Sequence, residues 1–334
     1  MKYILILLVC FFSKTLTAQQ APIAIVSSNG TTKLTSTLDS ASILAQDNDI
    51  IYLPGGSFAG MTISFTKKVT LIGVGHNPDS TGATSRTFIE GYVGFYNGAE
   101  GSTLDGVYVT GTIYVSANCK IYRSNCWDII CPNGFTTAIN LLVSQCIMRY
   151  GIYGQYGYNN IVNASIKNCI VGSGGNFTQQ IYNSIYENCI FLNQGAYGIE
   201  GASQCTFRNC TFTGITSWGS PSNSFFYNNI FTSAGNPPLS DSSNAIGNKV
   251  NQTGASTFTI APTSSYSYAN DYTIKAGSVG IAAGTDGKDI GIYGGSLPWV
   301  KGNIPPNPHI RTKNVDVTTG AGGTLRVRFN VGVQ

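Results

Sequence analysis

Six times in the middle of this chain an Asn or Gln is followed by Cys or, once, by a second Asn. The pairs are Asn125-Cys126, Gln145-Cys146, Asn168-Cys169, Asn188-Cys189, Asn209-Cys210 and Asn228-Asn229, at steps of 20, 23, 20, 21 and 19 residues. Asp105-Gly106 extends the series another 20 residues upstream. A period near 20 without a helical pattern marks a solenoid of short strands, whose units bury their apolar faces against each other.

Aligned on the Asn, the later units show three columns. Ile166, Tyr186, Phe207 and Phe226 form an apolar column that should point inward. Lys167, Glu187, Arg208 and Tyr227 form a column that should face solvent, with opposite charges paired between coils. The Cys column is small and apolar, and is expected inside. The Asn itself suits a sharp bend, because Asn tolerates the left-handed backbone region. Coils sit about 4.8 Å apart, so each bend amide is expected to bond the amides above and below it. Some 20 residues per turn leave room for three strands and three corners.

These features resemble the right-handed parallel β-helix, or pectin-lyase-like, superfamily, in particular its secreted bacterial repeat proteins. The resemblance spans roughly residues 33–296. Leu38 to Asp49, then Ile50-Ile51-Tyr52-Leu53-Pro54-Gly55-Gly56, is similar to the family's N-terminal cap and first strand over 33–56. Tyr272-Thr273-Ile274, Gly280 to Gly284 and Asp289 to Gly295 are similar to its closing coil. The fold class expected is all-β: a parallel β-helix over 19–296, with regular coils over 101–235. A Pro-rich linker and a C-terminal β-hairpin follow over 297–334. The hairpin either caps the last coil, shielding its open edge, or docks onto something else.

The first 18 residues read as a secretory signal peptide: Lys2, an apolar run from Ile4 to Phe12, and a cleavage site after Ala18. That run is too short to span a membrane, so the expectation is a secreted protein, extracellular or at the outer cell surface or periplasmic, and not an integral membrane protein. Charged residues make up 10% of the chain, against about 25% in ordinary domains. The net charge of +4 is mild and reads as spread along the chain, so nucleic acid is not an expected partner. Outside the leader, Cys119, Cys131 and Cys205 stand off the ladder. No CxxC pair or neighbouring His suggests zinc. Secretion permits disulfides, yet a stack of buried thiols is the plainer reading.

Lyase chemistry in this superfamily needs clustered carboxylates for Ca²⁺ and a basic residue to remove a proton, and its hydrolases need adjacent Asp pairs. The regular coils hold only Asp105, Asp128, Glu187 and Glu200 as acids. No catalytic constellation follows; were the chain an enzyme, Glu187, Glu200 and Arg149 would be its residues. Asp271, Asp286 and Asp289 could hold Ca²⁺, although Asp286-Gly287 is a common turn pair. The best pointer to a site is the stretch 149–158 in the longest coil, with Tyr150, Tyr153, Gln155, Tyr156 and Tyr158 between glycines. Tyr faces beside amides suit sugar rings, and Tyr197 and Trp218 are candidates for the same flank. The expected function is a secreted, non-catalytic solenoid that binds a surface polysaccharide or envelope protein. The alternatives are a polysaccharide lyase or hydrolase, and a structural subunit of an envelope assembly.

Overall fold

The computed structural model describes residues 22–333, except 133–136, 156–159, 173–179, 193–198, 200, 215–220, 233–243, 263–264, 301, 317 and 321. The described strands stack into a parallel β-solenoid of about eight turns. Twelve strands form a first sheet, 11 a second and four a third. In-register pairing puts Ile166, Tyr186, Phe207 and Phe226 in one column, and all four are fully buried. Their rings stack at the coil spacing: Tyr186 on Phe207 at 4.8 Å, and Phe207 on Phe226 at 4.8 Å. Phe191 stacks on Phe212 at 4.5 Å across the interior. Each buried ring contributes roughly 1.5–3 kcal/mol. On the outer side Glu187 pairs with Lys167 (3.1 Å) and Arg208 (2.9 Å), the expected charge ladder.

Every regular coil turns two corners through single residues of positive φ. Asn118, Asn140, Asn163, Asn183, Gln204 and Asn223 turn the first corner; Arg123, Gln145, Asn168, Asn188, Asn209 and Asn228 turn the second, each five positions later. This corrects the register at the start of the series. Asn125 and Cys126 lie on the strand Asn125–Cys131, opposite Ile147 and Met148. The corner there is Arg123, and Ser124 takes the place of Cys. One coil earlier Gly106 (φ 69°) turns the corner and Asp105 pairs with Arg123 instead. Cys119 and Cys205, unplaced by the sequence, follow first-corner residues and are buried.

The two corners use their amides differently. At the first, Asn183 donates to Asn163 (2.6 Å) and Asn140 to Asn118 (3.2 Å), an amide ladder in solvent. At the second, where the ladder was expected, the amides point instead at residues 283–298. Asn228 donates to the Ala283 carbonyl (2.7 Å), Asn209 to Thr285 Oγ1 (3.1 Å) and Asn188 to Gly291 O (3.0 Å). Asn168 donates to Ile292 O (2.8 Å) and Gly294 O (2.9 Å), and Gln145 to Pro298 O (2.6 Å). Residues 272–295 are therefore not a closing coil. They form a strap that runs back along the corner, antiparallel to the growth of the solenoid. Gly294 and Gly295 let it come close, because a Cβ on either would lie 2.5 and 2.7 Å from the Asn188 amide. Beneath the strap Ile147, Ile170, Ile190 and Ile230 pack with Ile290 and Ile292 in a second apolar core.

Inside the corner the small column closes the remaining hydrogen bonds. The N–H of Cys146 donates to Cys169 Sγ and that of Cys189 to Cys210 Sγ, both at 3.4 Å. Asn229 and Asn248 continue the column, with Cys210 N–H on Asn229 Oδ1 at 2.8 Å. All eight described cysteines are unbridged and buried.

The helix Leu38–Leu44 caps the N-terminal end, started by Thr37, whose hydroxyl accepts the Ser40 N–H. An antiparallel pair, Ile23–Val26 and Thr32–Thr35, precedes it and finishes the first sheet. At the far end the short helix Gly254–Thr257 follows the last coil, with a capping box of Thr253 and Ser256. The C-terminal hairpin of His309–Val315 and Val327–Gly332 starts beside Pro22, Tyr52 and Pro54. It is therefore at the N-terminal end, not over the last coil.

Candidate functional site

The outer face of the second sheet carries the exposed Tyr92 and Trp127, with the half-buried Tyr114, Tyr150 and Tyr153 beside them. Trp127 is 48% exposed and stacks on Tyr150 at 5.9 Å; Tyr150 meets Tyr153 edge-on at 5.9 Å. One and two coils earlier, Tyr114 lies 6.0 Å from Tyr92 and 6.1 Å from Tyr96. Two glycines make the rings lie flat: a Cβ on Gly94 would be 2.5 Å from Tyr96, and one on Gly111 2.8 Å from Tyr92. The irregular pairing between Cys126 and Asp128 sets Arg149 and Tyr150 against the single residue Trp127, as a bulge does, and Tyr150 meets Trp127 there. Four neighbouring strands at about 4.8 Å give a platform some 14 Å long.

Asp128 sits in the floor of this platform and accepts the Tyr153 hydroxyl at 2.6 Å. Burial pushes its carboxyl upward against the pull of Thr112, Tyr153 and the Arg149 charge. The Tyr153 hydroxyl is pushed far up by burial and by the carboxylate it bonds. Arg149 closes the other side. Its guanidinium donates to Cys126 O, Tyr108 Oη, Val109 O and Thr110 O between 2.7 and 3.1 Å, and lies over the Tyr108 and Trp127 rings. Arg86 lies over the stacked Phe88 and Tyr108 rings, at 4.7 and 4.4 Å from their centroids.

Of the residues considered for catalysis, Glu187 and Arg149 lie on different sheets and do not come together. Glu187 lies on the first sheet inside its ion pairs, where Arg208 and Lys167 outweigh partial burial and lower its carboxyl. Arg149 is on the second sheet with its donors engaged, and Glu200 lies outside the described residues. Of the residues considered for ligand binding, Tyr150 and Tyr153 meet on the platform, and Gln155 is exposed just beyond their strand. Tyr156, Tyr158, Tyr197 and Trp218 lie outside the described residues. Trp127, Tyr92, Tyr96 and Tyr114 were missed, because reading them as one face requires the strand register across coils of unequal length. Asp271, Asp286 and Asp289 each accept a nearby backbone N–H as turn residues do. Among the described residues no group of three or more His, Cys, Asp or Glu is placed to hold a metal. No described helix is long and apolar enough to cross a membrane.

No known protein family, curated protein or solved structure matches this chain.

Proposed function

We propose that this chain is a secreted, pectin-lyase-like solenoid that holds a glycan of the cell surface or envelope on its second sheet, without cleaving it. The observation that carries this reading is the exposed Trp127–Tyr150 stack with Tyr92 and Tyr114 beside it. Flat aromatic faces in water suit the C–H faces of sugar rings, and tyrosine hydroxyls suit their oxygens. Non-catalytic binding is favoured because Asp128 is bonded to Tyr153 and Arg149 to backbone carbonyls, which leaves neither poised for proton transfer. The test is affinity electrophoresis through gels cast with different polysaccharides. Wild type should be retarded by at least one of them, and Trp127→Ala should weaken that retention about tenfold, equivalent to about 1.4 kcal/mol. Equal retention of the two proteins would refute the platform.

A second reading, a structural subunit of an envelope assembly, rests on the hairpin. Val327, Phe329 and Val331 are exposed along one of its faces, while Arg326 and Arg328 alternate with them. Co-purification of a partner that is lost when the chain stops at Pro308 would support this second reading over the first.

A further inference from the structure

A separate cleft of about 480 Å³ opens where the strap begins, between residues 77–80 and residues 266–273. Its walls are Tyr266, Tyr268, Tyr293 and Trp299, with Asp79 and Asp271 among the described lining residues and neither Lys nor Arg. Tyr266 and Tyr268 meet edge to face at 5.1 Å, which makes a rigid aromatic corner. Tyr268 is fixed by its hydroxyl, which accepts from Asn125 (3.0 Å) and bonds His76 Nδ1 (2.9 Å). Tyr293 is 39% exposed at the mouth. Burial pushes the Tyr266 hydroxyl far up, and it makes no hydrogen bond to a described residue. An aromatic corner with the Tyr266 hydroxyl beside it suits a small polar ring, and the exposed Asp79 carboxylate repels acids.

We infer that this cleft is a second carbohydrate site, for a pyranose chain end without acid groups. It deepens the glycan-binding reading, because two sites on one rigid body would hold one polymer at two points and gain from effective concentration. The cleft shares no lining residue with the platform: its residues come from 266–273, Tyr293, Trp299, Gly302, the loop holding 77–80 and Ile170, and none from 92–153. Neutral and amino sugars satisfy the same groups, with an ammonium adding attraction to Asp79.

The experiment is titration calorimetry of Trp127→Ala/Tyr150→Ala, which lacks the platform, with trimers of glucose, glucosamine and galacturonic acid. This double variant should still bind the glucose or glucosamine trimer and not the galacturonic acid trimer. Adding Tyr293→Ala should weaken the remaining binding about tenfold. Asp79→Asn, which keeps volume and fold, should abolish any preference for the glucosamine trimer over the glucose trimer. No binding by the double variant, binding indifferent to Tyr293→Ala, or a preference for the acidic trimer would each overturn the cleft site. The platform fails separately, if Trp127→Ala alone changes no affinity while Tyr293→Ala removes it.

Discussion

Tyr186 shows how closely the interior column is specified and where it is imperfect. Its ring stacks on Phe207, yet its hydroxyl is buried with no hydrogen-bond partner among the described residues. An unpaired buried hydroxyl costs about 1–3 kcal/mol. Tyr186→Phe should therefore stabilise the protein by about 1 kcal/mol in urea unfolding; a loss of stability would mean that the hydroxyl has a partner. His76 is the opposite case, buried with both ring nitrogens occupied. Asn303 Nδ2 donates to Nε2 at 3.0 Å, so Nδ1 carries the proton towards Tyr268. Burial, helped by the Arg86 charge, lowers its pKa from 6.5 to about 3. The unfolded chain then takes up the proton first as pH falls, so stability is complete above about 6.5 and drains away towards about 3. Between pH 7.5 and 4.5 this group should remove about 2.6 kcal/mol. His76→Gln should be weaker at pH 7.5 but show a shallower pH dependence; an unchanged slope would contradict the assignment.

At the scale of the coil, the repeat was legible because two corner columns set the same period. The column ending in Asn-Cys was found from its cysteines. The earlier column, Asn118 to Asn223, went unread because its followers vary among Cys119, Leu141, Ala164 and Ser184. The destination of the second-corner amides was illegible, since an Asn that clamps a strap and an Asn that bonds another Asn satisfy the same bend. Glycine separates the two roles: it keeps the positive φ and removes the amide. Asn168→Gly should cost about 2–3 kcal/mol, because two strap carbonyls lose their donor. Asn118→Gly, at the solvent-exposed corner, should cost about 0.5 kcal/mol. Equal losses in denaturant titrations would rule out the clamp. The thiols of the interior column donate to backbone carbonyls, Cys146 to Ser144 O and Cys169 to Lys167 O at 3.3 and 3.2 Å. Native protein should thus be inert to a thiol reagent, whereas all eight described cysteines should react after unfolding in denaturant without reductant. Fewer than eight would reveal disulfides.

Across the whole molecule the strap, more than either end cap, ties the coils together. It spans from Asn228 to Gln145 and ends where Asn303 bonds the Gln145 carbonyl and His76. Tyr268, ahead of the strap, and Asn303, behind it, meet at His76, which reads in sequence as an isolated residue of the early coils. Beyond Pro308 the chain contributes little to this body. Residues 297–334 hold five of the 19 basic residues and one of the 15 acidic ones, so the net charge of +4 is concentrated there rather than spread along the chain. A chain ending at Pro308 should melt within about 2 °C of the full protein. One ending at Gly295 should melt well below it, having lost Trp299 and Asn303. The architecture and inward columns were thus readable from spacing and residue size. The platform was half readable, through Tyr150 and Tyr153, because its other rings are assembled by register between coils. The most direct test of the account is to incubate the protein with a panel of acidic and neutral polysaccharides. Retention and released oligosaccharides are then followed in the same samples by sedimentation and mass spectrometry. The account predicts a polysaccharide that is bound and left intact; released oligosaccharides, or no retention by any member of the panel, would contradict it.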